Sequence, residues 1–140
     1  MINMEPENLT EETALIDVDH TGKTIVIVDD DQTTLKMLEV FLSKLGYQVF
    51  CAESGTRAWE LVRTKKPTFL ISDMLLPGIH GVELCQKLKN DPELKDTKVI
   101  LITAVYSGGI SRSSDFYCDR DGFLEKPVDL KKLKEVLQSI

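Results

Sequence analysis

The chain is predicted to fold as an α/β domain built on a parallel sheet, and three observations predict it. From Lys23 onward, five short β-type runs alternate with stretches of helical period, the pattern of successive βαβ units. Three of those runs are continuously apolar rather than alternating, as strands covered on both faces are. Several runs also stop on a reactive side chain: Thr24-Ile25-Val26-Ile27-Val28 on Asp29-Asp30-Asp31, Phe69-Leu70-Ile71-Ser72 on Asp73, Val99-Ile100-Leu101-Ile102 on Thr103, and Phe123-Leu124-Glu125 on Lys126-Pro127. In an open parallel sheet the carboxyl ends of the strands lie along one edge, where such sheets bind their ligands.

The strands are expected at 24–29, 47–52, 68–73, 97–103 and 122–126, and the helices at 32–45, 55–65, 81–90, 110–118 and 129–139. The first helix follows from Leu35, Leu38, Phe41 or Leu42, and Leu45, spaced by three or four residues into one core-facing stripe. Gly46 stands where that helix needs a left-handed residue to end. Ser54 is placed to cap the second helix and Asp129 the last, whose stripe is Leu130, Leu133, Leu137 and Ile140. The fourth helix is the weak element, because Ser107-Gly108-Gly109-Ile110-Ser111-Arg112-Ser113-Ser114 is rich in poor helix formers.

Residues 1–22 read as a flexible acidic leader and residues 23–140 as one domain. The leader carries six acids and no Lys or Arg, which leaves 17 bases against 17 acids in the rest of a chain of net charge −6. A neutral body behind an acidic leader has no basic patch, so direct nucleic-acid binding by this chain is not expected. No apolar stretch is long enough to span a membrane and no signal-peptide pattern opens the chain. Cys51, Cys85 and Cys118 share no ligand-like spacing and read as three reduced thiols of a cytosolic protein.

Two or three carboxylates held within a few ångströms repel one another. A hard divalent cation such as Mg2+, which takes oxygen ligands, relieves that repulsion. Asp30 and Asp73 are the candidates for direct ligands and Asp29 for a ligand directly or through water, whereas Asp31 is placed to cap the first helix. Asp73 also leads into Pro77-Gly78 and Gly81, a tight loop that lets the backbone approach a metal or phosphoryl group. Paired with the Asp29-Asp30-Asp31 triplet, Asp73 becomes the candidate nucleophile. Thr103 beside the small Ala104 can donate a hydroxyl to a phosphoryl oxygen, and a lysine ending a buried strand either pairs with an acid or serves a site. Lys126-Pro127 is moreover a bond of the type that can adopt the cis form.

The ordered set Asp29-Asp30, Asp73 with Pro77-Gly78, Thr103-Ala104 and Lys126-Pro127 resembles the receiver domain of two-component response regulators, including the chemotaxis regulators, over residues 23–140. The resemblance implies a flavodoxin-like (βα)5 doubly wound sheet of strand order 2-1-3-4-5. It implies that Asp73 is phosphorylated from a phosphohistidine on a histidine kinase or histidine phosphotransfer protein. Asp29, Asp30, Asp73 and the backbone carbonyl of Leu75 would hold Mg2+, and Thr103 and Lys126 would contact phosphoryl oxygens. Phe123 matches the switch aromatic that moves inward as Thr103 shifts. The face of the fourth helix, fifth strand and fifth helix would then be read by a downstream protein or output domain, or by a second copy of the chain. Such a domain is a cytoplasmic bacterial signalling module that catalyses its own phosphorylation and dephosphorylation, not a metabolic enzyme.

Some positions depart from the family pattern. His80 stands where an acid is common, the turn before the fifth strand reads Cys118-Asp119-Arg120-Asp121-Gly122, and Leu75 and Val105 flank the site with apolar side chains. Neither apolar residue can orient a water by hydrogen bonding, so slow self-dephosphorylation is expected. Two other readings compete. Asp29-Asp30-Asp31-Gln32-Thr33 fits the Asp-x-Asp-x-Thr signature of haloacid-dehalogenase-like phosphatases, with Asp29 as nucleophile and Asp31 as acid/base, but this leaves Asp73 and its loop unexplained. A degenerate receiver that binds a partner without chemistry is the other, although every expected site residue is present.

Overall fold

Each apolar run becomes a strand of one five-stranded parallel sheet in a computed structural model that describes residues 22–104 and 120–140. The strands are β1 (Thr24–Val28), β2 (Gln48–Ala52), β3 (Phe69–Asp73), β4 (Lys98–Ala104) and β5 (Gly122–Lys126), and their order is β2-β1-β3-β4-β5. The described helices are α1 (Gln32–Lys44), α2 (Gly55–Lys65), α3 (Gly81–Lys89) and α4 (Leu130–Ser139). Observed bounds differ from the expected ones by a residue or so. The helix expected at 110–118 and the leader before Gly22 lie outside the described residues.

Because successive strand side chains face opposite ways, the sheet builds two cores. Val26, Val28, Leu70, Val99 and Leu101 pack with α2 and α3, while Ile25, Ile27, Ile71, Ile100, Ile102 and Leu124 pack with α1 and α4. That two-sided burial is the physical reason the strands read as unbroken apolar runs. Trp59 packs against the first core and Phe41 against the second, and Phe69 is buried in the second.

Helix ends follow local chemistry. Asp31, Ser54 and Asp129 each accept a backbone N–H of the helix they precede. Gly46 takes a φ of +99° just past α1, and the N–H of Tyr47 returns to the Leu42 carbonyl at 3.2 Å. At the end of α2 a non-glycine, Lys66, takes the left-handed position with φ of 45°, since Pro67 cannot continue the helix.

The cysteines depart in part from the expected reduced state. Cys85, fully buried on α3, is disulfide-bonded and so is not a reduced thiol; spacing along a chain says little about which sulfurs a fold brings together. Cys51 is a free thiol, with burial and the nearby Glu39 raising its pKa to about 11. Cys118 lies outside the described residues. Among the described residues no helix is long and apolar enough to cross a membrane.

Candidate functional site

Three strands deliver the charged centre of the site to the carboxyl edge of the sheet. Asp29 follows β1, Asp73 ends β3 and Lys126 ends β5. The Lys126 ammonium bridges the two carboxylates, at 2.8 Å from Asp29 Oδ2 and 2.7 Å from Asp73 Oδ2. The remaining oxygens face the backbone. Asp29 Oδ1 accepts the Asp31 N–H at 2.8 Å, and Asp73 Oδ1 accepts the Leu75 N–H at 3.0 Å. The peptide bond between Lys126 and Pro127 is cis.

The electrostatics are those of charges removed from water. Asp29 is 2% exposed, and burial raises its pKa against the opposing help of Lys126 and the Asp31 N–H. For Lys126 burial works the other way, but the carboxylates of Asp29 and Asp73 outweigh it and hold the ammonium pKa above its ordinary value. Asp31 behaves differently. Its carboxylate accepts the Thr34 hydroxyl at 2.7 Å and the Thr33 N–H at 3.2 Å, and these bonds lower its pKa. Asp31 thus serves the helix cap expected of it.

Ligand atoms of Asp29, Asp30 and Asp73 all lie within 4.8 Å of one another. Three carboxylates against one ammonium leave an excess of two negative charges when all are ionised. The donor set is entirely oxygen, so the residues fit a hard divalent cation such as Mg2+.

Thr103 is buried at the end of β4 and stands in register with Glu125, one position before the pair Ala104 and Lys126. Phe123 pairs with Leu101 and packs half-buried on the α2–α3 side of the sheet, with the Arg120 guanidinium 4.9 Å from its ring centroid. His80 is exposed at the N-terminal end of α3 and makes no capping bond with its side chain.

The loop after Asp73 is held more firmly than sequence reasoning foresaw. Met74 and Leu76 are buried, whereas Leu75 between them is 69% exposed. Gly78 takes a φ of +77°, and the Gly55 N–H donates to the Pro77 carbonyl at 3.2 Å. A Cβ on Gly55 would lie 1.6 Å from the Ile79 carbonyl oxygen, and one on Gly81 would lie 2.2 Å from that of Asp73. Both glycines are therefore close-approach positions. Gly81 was visible as part of the loop; Gly55 had no signal beyond following the cap Ser54. Also unforeseen is Asp121, whose carboxylate accepts the Val99 N–H at 2.8 Å and pairs with Lys89 at 2.9 Å.

Residues 25–138 match the sequence model of the response regulator receiver domain. The chain belongs to that family. This receiver is 34% identical over 112 residues to the transcriptional regulatory protein CrdR of Helicobacter pylori, covering 80% of this chain and 52% of that protein. It is 29% identical over 118 residues to the polar-differentiation response regulator DivK of Brucella ovis, covering 84% of this chain and 94% of that one. The receiver thus spans about half the length of CrdR and nearly all of DivK. Among solved structures, the CheY-like response regulator receiver domain from Methylobacillus flagellatus superposes with a TM-score of 0.71 at 27% identity, over 84% of this chain and 97% of that one. The flavodoxin-like fold and its strand order are as the resemblance implied.

Proposed function

We propose that this receiver is a phosphoacceptor of two-component signalling in which Asp73 is the phosphorylated residue. The observation that carries the reading is the bridge of Lys126 between Asp29 and Asp73 at the carboxyl edge of the sheet. A carboxylate oxygen of Asp73 attacks the phosphorus of a phosphohistidine. The P–N bond breaks, the imidazole leaves and takes a proton, and an acyl phosphate remains on Asp73. Lys126 stands ready to pair with a phosphoryl oxygen, and the Thr103 hydroxyl is the further donor on the neighbouring strand. Catalysis of this kind is positioning and charge neutralisation. Mg2+, held by Asp29, Asp30, Asp73 and the Leu75 carbonyl, would neutralise charge between the carboxylates and the phosphoryl group.

The phosphodonor in this reading is a histidine kinase or phosphotransfer protein, which places the domain in the cytoplasm. Its output is a change at Thr103 and Phe123 that alters the face around β5 and α4 for a protein partner, an output domain or a second copy. The exposed apolar Leu75 offers no hydrogen bond to an attacking water, so the acyl phosphate decays slowly.

Intact-mass measurement after incubation with acetyl phosphate tests the reading. One phosphoryl adduct is expected with Mg2+ in the wild type, none without Mg2+ and none in Asp73→Asn. After removal of the donor, the adduct is expected to outlast the scale of seconds. No adduct under any condition would favour the degenerate module, and an adduct surviving Asp73→Asn would restore the phosphatase reading.

A further inference from the structure

Arg120 belongs to the turn where this chain departs from the family pattern, and its guanidinium lies over the Phe123 ring at 4.9 Å from the centroid. Among the described residues it makes no salt bridge, although it is half-buried. An aromatic face attracts a cation through its quadrupole, and more strongly where water is partly excluded. The backbone beneath the cation is fixed. Asp121 donates its N–H to the Val99 carbonyl at 2.8 Å, accepts the Val99 N–H at 2.8 Å, and is pinned by Lys89, which also reaches the Thr97 carbonyl at 2.9 Å. Phe123, by contrast, is half-buried against the α2–α3 core and free of polar anchors on its ring. A cation on a clamped turn thus faces a half-buried ring.

We infer that Arg120 is a positioning residue that holds the Phe123 ring in its outer, unphosphorylated position and so sets how readily the receiver switches. The inference rests on the phosphoacceptor reading, because it takes inward movement of Phe123 as the response to phosphorylation at Asp73. Moving the ring inward forfeits the cation contact, so the contact weights the equilibrium toward the resting state. A ligand that favours the switched state must work against that weight, and its apparent affinity falls by the same factor. An exposed to half-buried cation–aromatic contact corresponds to about a two- to fivefold population shift.

The test uses beryllofluoride, a phosphoryl mimic, with Mg2+ on the full chain. Affinity is measured for the wild type, Arg120→Met and Arg120→Lys, and the Thr103 methyl signal is followed by 13C NMR. Thr103 is a suitable reporter because it lies two residues beyond Leu101, the register partner of Phe123. Arg120→Met is expected to bind the mimic about two- to fivefold more tightly. Its Thr103 signal, before the mimic is added, should already be displaced toward the bound position. Arg120→Lys, which restores a cation, should return both values toward the wild type, a rescue that a purely structural role for the turn does not supply. Equal affinity and an unmoved Thr103 signal in Arg120→Met would overturn the inference while leaving the phosphoacceptor reading intact. Failure of the wild type itself to bind the mimic would overturn both.

Discussion

Asp29 is the most deeply buried carboxylate of the site. It is almost wholly buried beside a second carboxylate, and burial raises its pKa despite the Lys126 ammonium and the Asp31 N–H. An acid whose pKa is higher in the folded chain than in the unfolded one binds its proton more tightly when folded. Stability then falls as pH rises from the unfolded value, about 3.9, through the folded value, and the full cost persists above it. A neutral amide escapes that cost. Asp29→Asn is accordingly expected to melt a few degrees above the wild type at pH 7 in EDTA, with the gap closing as pH falls toward the unfolded carboxylate range. Melting curves followed by circular dichroism across that range check the point; a variant less stable than the wild type at neutral pH would contradict it. The stabilised variant gives up a member of the acidic cluster that fits a divalent cation, so under the proposed function its stability is gained at the expense of chemistry.

α3 begins directly against the backbone of Asp73, and Gly81 makes this approach possible. Its first residue lies under the Asp73 carbonyl, where a Cβ would intrude to 2.2 Å. Gly81→Ala must therefore push the helix and the Asp73 backbone apart, an overpacking strain of about 1–3 kcal/mol. Urea unfolding should show that loss, and phosphorylation by acetyl phosphate should slow as well, since Asp73 is displaced from Lys126. Unchanged stability together with an unchanged rate would show that the loop absorbs the methyl group. Some of this element was legible in the sequence. The strand runs, the caps Asp31, Ser54 and Asp129, and the meeting of Asp29, Asp30, Asp73 and Lys126 at one sheet edge were readable, because apolar periodicity and strand-end chemistry leave local marks. The interlock of Gly55 with Ile79, the Asp121–Lys89 clamp and the disulfide at Cys85 were not, because each depends on which distant segments the fold brings together. The left-handed Lys66 was missed for a different reason: the usual glycine is absent and the signal is the proline after it.

At the scale of the whole molecule, the site exists only when the sheet does. Lys126 and Asp73 are 53 residues apart in the chain yet 2.7 Å apart in space. An unfolded chain cannot gather Asp29, Asp30 and Asp73 into one cluster, so a cation that binds the cluster stabilises the folded state. With Mg2+ at a hundred times its dissociation constant the gain is about 2.7 kcal/mol. A titration of melting temperature with MgCl2 should show a saturable rise that Asp30→Asn largely removes; a flat titration of the wild type would mean that the cluster takes no cation. All five strands run in one direction, so the two edges of the sheet carry different residues. Asp29, Asp73, Thr103 and Lys126 crowd the carboxyl edge, while Gly22, Thr68 and Lys98 mark the amino edge, one five-residue strand away, about 16 Å. A dye, surface tether or fused reporter attached near Lys98 would sit far from the Asp29, Asp73 and Lys126 cluster, leaving that edge uncovered during a test of the proposed phosphoryl transfer.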